Sequence, residues 1–413
     1  DAESEVSVII KNGEIVASAV EGETVHVVIE KTPFYPEGGG QSGDKGTIKT
    51  ASGLMTVFNT TKKGDCILHQ GVVEDGIIRT GVDVDARVFA KDRLNSAKNH
   101  SATHLLHKAL RDVLGNHVEQ KGSQVTPSKL RFDFTNFESM TKEQIEEVER
   151  RVNEAIFNEL ELKVSVTSID EAKKMGATAL FGEKYGDTVR VVNFGDFSIE
   201  LCGGTHVNNS IEIGMFKILS EGGVAAGVRR IEAITGRKVY EYLKEIDDTI
   251  KVVATMVKAT PSELINRINQ INDELKKLNK DNNQLKNKLA TSSLDDILKL
   301  AIEVKDVTII AAKLDNMEMD GLRNLADKLR DKYENSLVVL ASDIDGKVNI
   351  AAVASPSAVK KGIHCGKIIK EVAKVTGGGG GGRPNMAQAG GKNPAKIEEA
   401  LGLVEDLASG MLE

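Results

Sequence analysis

The sequence predicts an α+β protein of 413 residues built from four successive segments. Short β-branched runs separated by turn signals fill residues 1–90, which predicts a β-rich N-terminal segment. Helical and strand-like runs then mix over residues 91–235. Heptad-spaced apolar residues over 236–290 indicate a long helical, coiled-coil-like linker. Residues 291–413 combine strands and helices in the pattern of a small α/β domain.

Composition excludes several classes of protein. The chain has no uninterrupted run of about 18 apolar residues, so we expect no membrane span. Three widely spaced cysteines, Cys66, Cys202 and Cys365, do not make a disulfide framework and indicate a reducing, cytoplasmic environment. The net charge of -7 gives no global sign of nucleic-acid binding. Since the sequence starts at Asp1 without a Met or a secretory signal, we expect a fragment of a longer protein.

The first two segments contain the runs expected of strands and helices. VSVII, TVHVVIE and GVDVDARVF read as strands, and a glycine cluster, EGGGQSGDKG at 37–46, lies among them. The cluster lacks the Gly-Lys-Ser/Thr ending of a phosphate loop, so we expect tight turns with close backbone approach. RLNSAKNHSATHLLHKALRDVLG and KEQIEEVERRVNEAIFNEL read as helices, whereas LKVSVTSI, TVRVVNFG and GMFKILSE read as strands.

The linker is predicted to hold two helices, at about 237–258 and 261–290. Residues 260–263, TPSE, form a capping box with proline at the first helical position, so a new helix begins there. Asn282 is the one polar residue of the heptad seam, where it can set the register. An antiparallel hairpin is favoured over an intermolecular coiled coil, and both stay open. The seam positions are Val239, Leu243, Ile246, Ile250, Val253, Val257, Leu264, Ile268, Ile271, Leu275, Leu278, Asn282, Leu285 and Leu289.

In the last segment, VTIIAA and SLVVLA read as strands with a helix at about 319–332 between them. An Asp-Gly turn at 345–346 leads into VNIAAVA, which predicts a hairpin. A helix at 363–375 and a final helix from about 394 flank a glycine run at 377–382. We expect this run to form a glycine-rich loop, with a flexible linker as the alternative.

The glycine run lies in a basic stretch of the sequence. Residues 355–396 hold eight basic residues and one acidic residue, Glu371, for a local net charge of +7. Such a patch around a glycine loop suits contact with the backbone of a nucleic acid. A solvated basic helix face is the alternative. The basic residues are Lys360, Lys361, Lys367, Lys370, Lys374, Arg383, Lys392 and Lys396.

Three histidines share one face of the predicted helix NHSATHLLHKAL, residues 99–110. On an ideal helix, His104 lies about 40° from His100, and His107 lies about 20° to the other side. Apolar residues occupy roughly the opposite side. Histidines four residues apart can both reach one metal ion. The alternative is a polar helix face without a ligand.

A second pair of metal-binding residues lies in LCGGTHVNN, which contains Cys202 and His206. Cysteine and histidine are the ligand types that zinc prefers, and the two glycines allow both side chains to converge on one ion. Together with the helix histidines, this pair predicts a metal site. The spacing leaves open whether the zinc is structural or acts on a substrate.

Three motifs in order resemble a known family. FYPEGGGQSGDKG at 34–46, HSATH and CGGTH are similar to the editing domain of alanyl-tRNA synthetases and of their free-standing editing relatives. TGGGGGGRPNMAQAGGK at 376–392 resembles the C-terminal domain of the same synthetases. The resemblance runs over essentially the whole chain, and no metal-motif residue departs from it. The N-terminal aminoacylation region of the family has no counterpart here.

The resemblance implies an aminoacyl-tRNA deacylase that forms part of a ligase. Its reaction is hydrolysis of the ester that joins serine or glycine to alanine tRNA. Zinc ligation falls on His100, His104, Cys202 and His206, and His107 lies outside the motif. The β-rich segment and residues 91–235 then form the editing domain. The C-terminal domain is expected to bind tRNA and to support a homodimer.

The resemblance also places three further residues around the editing pocket. Thr103 lies where the family recognises the hydroxyl of misattached serine. Gln120 and Arg229 match pocket positions, where an amide can orient a hydroxyl or carbonyl and a guanidinium can hold negative charge. Two alternatives stay open: a non-catalytic RNA-binding and oligomerisation module with structural zinc, and a free-standing editing protein.

Overall fold

The computed structural model describes residues 1–178 and 186–412, and the side chains of all of these except 286–293 and 295. The chain forms two compact units, Asp1–Met256 and Val257–Glu413. The finer division into four segments stays a prediction. Among the helices of the described residues, none is long and apolar enough to cross a membrane.

The first unit begins with eight strands: β1 (Ala2–Lys11), β2 (Glu14–Val16), β3 (Ser18–Val20), β4 (Thr24–Ile29), β5 (Gly46–Lys49), β6 (Gly53–Lys63), β7 (Cys66–Arg79) and β8 (Asp83–Val88). Their order is β2-β1-β4-β7-β6-β5-β8, with β3 paired to β7. The start of β1 pairs with β8, so the sheet closes on itself. Alternate residues such as Val25, Val27 and Met55 point inward and form the core, as the period of a strand requires.

The rest of the first unit mixes helices and strands: α1 (Ala90–Leu114), β9 (Gln120–Val125), β10 (Leu130–Thr135), α2 (Lys142–Phe157), β11 (Leu162–Ser168), α3 (Ile169–Lys174), β12 (Thr188–Phe194), β13 (Ser198–Leu201), β14 (Phe216–Ala225), β15 (Val228–Thr235) and α4 (Arg237–Met256). The strands form two antiparallel sheets, β14-β15-β10-β9 and β11-β12-β13. Most of the helices and strands predicted from the sequence lie within a few residues of these bounds.

Helix α1 is buried on both of its sides. Leu105, Leu106 and Leu110 pack into the main core with Phe132 and Phe134 of β10. The side that carries the histidines is covered as well. Strand β13 contacts this side, and the turn after it reaches the histidines. A helix enclosed in this way has fixed side-chain positions, which a ligand set requires.

The second unit starts with a helix and contains a six-stranded sheet: α5 (Leu264–Leu298), β16 (Ile302–Val304), β17 (Val307–Asp315), α6 (Met319–Arg330), β18 (Ser336–Ile344), β19 (Lys347–Ala354), α7 (Pro356–Lys360), α8 (Cys365–Val375), β20 (Gly379–Arg383), β21 (Met386–Gly391) and α9 (Ile397–Ser409). The strand order is β16-β17-β18-β19-β21-β20. Only β17 and β18 pair in parallel, because α6 connects them by a crossover. Helices α8 and α9 cover one face of the sheet, and α6 covers the other.

The predicted break between the linker helices is observed. The Glu263 carboxylate accepts a hydrogen bond from Thr260 N at 3.3 Å, and a short 3₁₀ turn over Pro261–Glu263 opens α5. Helix α5 extends to Leu298, beyond the expected end at 290. Of the seam, Leu243 and Ile246 in α4 and Leu275 and Leu278 in α5 are exposed. Leu289 lies outside the described side chains, and the choice between hairpin and coiled coil stays a prediction.

The glycine run is a strand rather than the expected loop. Residues 379–383 form β20, which pairs with β21 at the edge of the sheet. A Cβ at Gly380 would stand 2.3 Å from the Cβ of Ala389, whereas a Cβ at Gly381 would meet no atom within 4 Å. Alternate positions are therefore glycine because β21 lies too close for a side chain. Sequence propensity favoured a loop, and this tertiary packing overrides it.

Truncation of a core phenylalanine tests the packing around α1. Phe132 is fully buried, whereas Phe137 is 88% exposed. We expect Phe132→Ala to lower the free energy of unfolding of the first unit by about 3–5 kcal/mol. Phe137→Ala, the matched control, should change it by less than about 0.5 kcal/mol. Urea denaturation measures both. Equal losses for the two variants would contradict the described core.

Candidate metal centre

The four predicted metal ligands lie together in the first unit. Helix α1 places His100 and His104 one turn apart, and the turn after β13 places Cys202 and His206 opposite them. One donor atom from each residue lies within 4.8 Å of the others. Cys202 Sγ stands 3.3 Å from His100 Nε2 and 3.3 Å from His206 Nε2. Residues about a hundred positions apart thus form one cluster.

The turn that holds Cys202 depends on glycine and on one arginine. A Cβ at Gly204 would lie 2.1 Å from His100 Cε1, so the imidazole packs directly on the glycine backbone. The guanidinium of Arg190 donates to the carbonyls of Cys202 and Gly204 at 2.8 and 2.9 Å. These contacts hold the turn against the helix, because the buried carbonyls find their partner only in this conformation.

The hydrogen bonds of His100 define which ring nitrogen faces the cluster. The backbone N–H of Thr205 donates to Gln41 Oε1 at 3.0 Å, which fixes the orientation of that amide. His100 Nδ1 therefore carries the proton that it donates to Gln41 Oε1 at 2.7 Å. The lone pair of Nε2 is left to face Cys202. Partners of this kind orient a ligating imidazole.

In His206 and His104, as in His100, Nδ1 points towards an oxygen atom outside the cluster. His206 Nδ1 lies 3.0 Å from Ser101 Oγ, which also accepts a hydrogen bond from Val207 N. His104 Nδ1 lies 3.5 Å from Glu200 Oε2. Nδ1 of His206 thus contacts the Ser101 hydroxyl, whereas Nδ1 of His104 lies near Glu200 without a hydrogen bond among the described residues; in both rings Nε2 is the nitrogen left for a metal.

Glu200 is a buried carboxylate between two histidines. It is 5% exposed, and its second oxygen lies 3.0 Å from His107 Nδ1. His107 therefore contacts the cluster only through Glu200, and its ring packs against Phe132. The cluster of four donor atoms does not include His107, and its place outside the ligand set stays a prediction.

The charges of the cluster suit metal binding. Burial opposes the Cys202 thiolate, but His100 and His104 outweigh it and hold the pKa of the thiol well below its ordinary value. Burial likewise opposes a charged His104, yet Glu200 raises its pKa to about 9. Burial lowers the pKa of His206 to about 3, so that ring is neutral. Thiolate and neutral imidazole are the forms that bind metals, so Cys202 and His206 already have that form and His104 must release its proton when a metal binds.

The residues present fit a zinc ion. Tetrahedral zinc ligands at about 2.0–2.3 Å from the metal stand roughly 3.3–3.8 Å apart. The two separations of 3.3 Å from Cys202 Sγ agree with that spacing. One thiolate and three imidazoles form a donor set typical of zinc. These four residues could hold a metal ion, and its identity as zinc stays a prediction.

A cavity of about 280 Å³ adjoins the cluster. Its walls include His100, His104 and Cys202 together with Thr103 and Gln120. Two of the three predicted pocket residues, Thr103 and Gln120, thus line the cavity beside the cluster. Thr103 Oγ1 donates to the Asn99 carbonyl at 2.8 Å, and Gln120 Nε2 donates to Ser123 Oγ at 3.3 Å.

The third predicted pocket residue, Arg229, is not among the residues that line this cavity. Its guanidinium binds both oxygens of Glu221, at 2.6 and 2.8 Å, across the β14–β15 pair. The side chain is 16% exposed and its partner 5% exposed. Its positive charge is therefore already paired within the sheet.

Sequence reasoning missed several residues of the site, among them these four: Gln41, Glu200, Tyr35 and Lys62. All four line the cavity or contact a ligand. For two of them, the position in the sequence could have indicated a place in the site. Gln41 ends the GGGQ motif, and Glu200 stands two residues before Cys202 in a strand, where alternation places both on the same face.

Three protein families match the chain. "tRNA synthetases class II (A)" matches residues 1–92, "Threonyl and Alanyl tRNA synthetase second additional domain" matches 189–232, and "DHHA1 domain" matches 306–410. The second of these covers Cys202 and His206. The fold, the cluster and these matches define a class of protein: a part of a class II aminoacyl-tRNA synthetase with a second additional domain.

Curated relatives narrow the class. Alanine–tRNA ligase of Clostridioides difficile (strain 630) is 51% identical over 407 residues, which cover 98% of this chain and 46% of that protein. The ligase of Bacillus subtilis (strain 168) is 45% identical over 413 residues, covering 100% and 47%. The chain belongs to the alanine–tRNA ligase family and corresponds to the C-terminal half of its members. It spans about half the length of the curated relatives it matches.

Part of the chain is also similar in sequence to a solved domain. The C-Ala domain from Aquifex aeolicus alanyl-tRNA synthetase is 37% identical, covers 27% of this chain and 98% of that chain, and has a TM-score of 0.25.

Substitution of Gly204 tests the packing of His100 on the turn. A Cβ at Gly204 would overlap the imidazole, whereas one at Gly203 would meet no atom within 4 Å. We expect Gly204→Ala to weaken zinc binding by about 10-fold or more, since displaced ligands bind poorly. Gly203→Ala should bind within about 3-fold of wild type. Competition with a chromogenic chelator measures both, and equal affinities would contradict the described contact.

Proposed function

We propose that the first unit hydrolyses the aminoacyl ester of mischarged alanine tRNA, with serine or glycine as the amino acid. The observation that supports it is the cavity in which the His/Cys cluster meets Thr103 and Gln120. The family match makes a tRNA ester the substrate to test. The proposal places the protein in the cytoplasm, where its substrate occurs.

Hydrolysis requires few catalytic groups from the protein, because an aminoacyl ester is already activated. Zinc, when bound, would polarise an oxygen or lower the pKa of a water. The protein's own contribution is to place the ester and a water in a confined cavity. Cys202 belongs to the donor set, so the proposed route uses no cysteine nucleophile. Glu200 holds His104 in place and keeps a negative charge beside the cluster.

Thr103 is proposed to recognise the substrate's side chain. Its hydroxyl proton is donated to Asn99 O, so the lone pairs of Oγ1 remain free to accept. The hydroxyl of a serine substrate can donate to them, and alanine cannot. A hydrogen bond of this kind contributes about 0.5–1.5 kcal/mol, or roughly 2- to 12-fold in selectivity. Gln120 donates to Ser123, which leaves its Oε1 to accept from a ribose hydroxyl.

For Arg229, the structure supports a different proposal from the sequence. Its bidentate pair with Glu221 suits a role in holding β14 against β15. Direct contact with substrate would require this ion pair to break, and separating a guanidinium from its carboxylate partner costs free energy. We therefore leave Arg229 out of the proposed chemistry.

The second unit is proposed to bind the body of the tRNA. Lys360, Lys367, Lys370, Arg383 and Lys392 are exposed, and within the described residues none of these five makes an ion pair. Strand β20 consists of four exposed glycines followed by Arg383, so most of its backbone is not covered by side chains. A flat strand flanked by free cations allows phosphates to approach closely. Dimerisation through this unit stays a prediction.

Deacylation tests the first proposal. We expect the protein to hydrolyse serine-charged alanine tRNA and Cys202→Ala to lose about 100-fold or more of that activity, because a ligand is removed. Thr103→Val should lower the preference for the serine ester over the alanine ester by about 2- to 12-fold. The measurement is release of labelled amino acid from each charged tRNA.

Thr249→Val is the matched control for Thr103→Val. Thr249 makes the same bond to the carbonyl four residues earlier, at 2.8 Å, but lies on the exposed helix α4. Thr249→Val should leave the preference for the serine ester over the alanine ester unchanged. A zinc-loaded protein that binds tRNA without hydrolysis above buffer would contradict the enzyme and favour the structural-zinc module.

Salt-dependent binding tests the second proposal. We expect Lys367→Ala with Lys370→Ala to weaken tRNA binding and to reduce the slope of log affinity against log salt by about 1 for each lysine. Lys347→Ala, at the exposed start of β19, should neither weaken binding nor change the slope. Gly381→Val should weaken binding at unchanged thermal stability, because its side chain points into open space. Salt-independent affinity would contradict phosphate contact.

A further inference from the structure

Gln41 has a position that the proposed reaction does not explain. Its side chain is 0% exposed, although glutamine is rarely fully buried. Oε1 accepts from His100 Nδ1 at 2.7 Å and from Thr205 N at 3.0 Å. Nε2 donates to Thr205 Oγ1 at 2.9 Å. One amide therefore contacts both halves of the ligand set: the helix that carries His100 and the turn that carries His206.

Gln41 belongs to a segment that forms one wall of the cavity. We call residues 36–44 the glycine segment; its Glu37, Gly38 and Gly39 line the cavity. The backbone of this segment runs beside β9: Val125 N donates to Gly40 O at 2.7 Å, and Ser42 N donates to Val125 O at 2.9 Å.

The glycine segment is fastened at its far end as well. Asp44 accepts from Arg93 Nε at 2.8 Å and from the Tyr35 backbone at 2.6 Å. Arg93 and His100 both lie on α1, two turns apart. Between these anchors, the three glycines at 38–40 have no side chains to hold the wall in place. Gln41 is the side-chain contact that joins this part of the wall to the cluster.

We propose that Gln41 is a positioning residue that couples metal binding at the cluster to ordering of the glycine segment over the cavity. The inference rests on the proposed metal centre. By orienting His100, Gln41 raises metal affinity, and a coupling between two sites is reciprocal. Metal binding must then stabilise the ordered glycine segment by the same factor. The glycine segment, which forms this wall of the cavity, is thus fully ordered only when the centre holds a metal ion.

Zinc affinity tests the first half of the coupling. Gln41→Leu removes Oε1, the acceptor of both His100 and Thr205, and should weaken zinc binding by about 10- to 100-fold, measured by chelator competition. Gln41→Glu keeps an acceptor for His100 and Thr205 and should restore affinity to within about 3-fold of wild type. Gln124→Leu, an exposed glutamine on β9, is the matched control and should bind as wild type does.

Hydrogen exchange of backbone amides tests the second half without any activity measurement. In the wild type, removal of zinc should speed exchange at Gly38, Gln41 and Ser42. In Gln41→Leu, exchange there should already be fast and should respond little to zinc. If Gln41→Leu fails to fold, Gln41→Asn, whose shorter amide does not reach His100, takes its place with the same expectations.

The outcomes separate the two proposals. A wild-type protein that binds no zinc overturns the metal centre itself. If the wild type binds zinc and a folded Gln41→Leu or Gln41→Asn binds it equally well, the role of Gln41 is overturned. If the rate of amide exchange in the glycine segment of the wild type does not change when zinc is removed, the coupling is overturned.

Discussion

The first unit depends on the contact between helix α1 and the turn after β13. His100 packs on the backbone of Gly204 at a distance that excludes any side chain there. This contact brings a helix and a turn about a hundred residues apart into one cluster, and both sides of α1 become buried as a result. The closed sheet then supplies the cavity wall through Gln41. A change in the turn would disturb ligands, wall and core together.

Burial gives the cluster its chemical character. An isolated thiol in an apolar interior would stay protonated, but two imidazoles beside Cys202 reverse that tendency. Glu200 in turn supports the charge on His104. The buried charges are thus arranged as mutual partners, which is the condition under which such groups are tolerated in a core. The same arrangement provides a thiolate at Cys202 and a neutral ring at His206, which are two of the ligand forms that a metal needs.

The sequence predicted much of the fold because most elements carry local signals. Periodicity located α1, α2 and some of the strands of both units, and the TPSE capping box located the start of α5. The glycine run shows where local reasoning fails. Glycine has low strand propensity, yet the proximity of β21 leaves room for nothing larger at alternate positions. This requirement arises from the close pairing of β20 with β21, which the propensities of single residues do not contain.

By itself, the sequence determined the donor types and their local spacing: two histidines one helical turn apart, and a cysteine and a histidine around two glycines. Only the tertiary structure decided what surrounds them. It placed Gln41, Ser101 and Glu200 on the outer nitrogens of the three rings, and it paired Arg229 with Glu221 away from the cavity. The physical reason is that a donor's identity is a property of one residue. Its orientation and charge depend on groups that folding brings from other strands and turns.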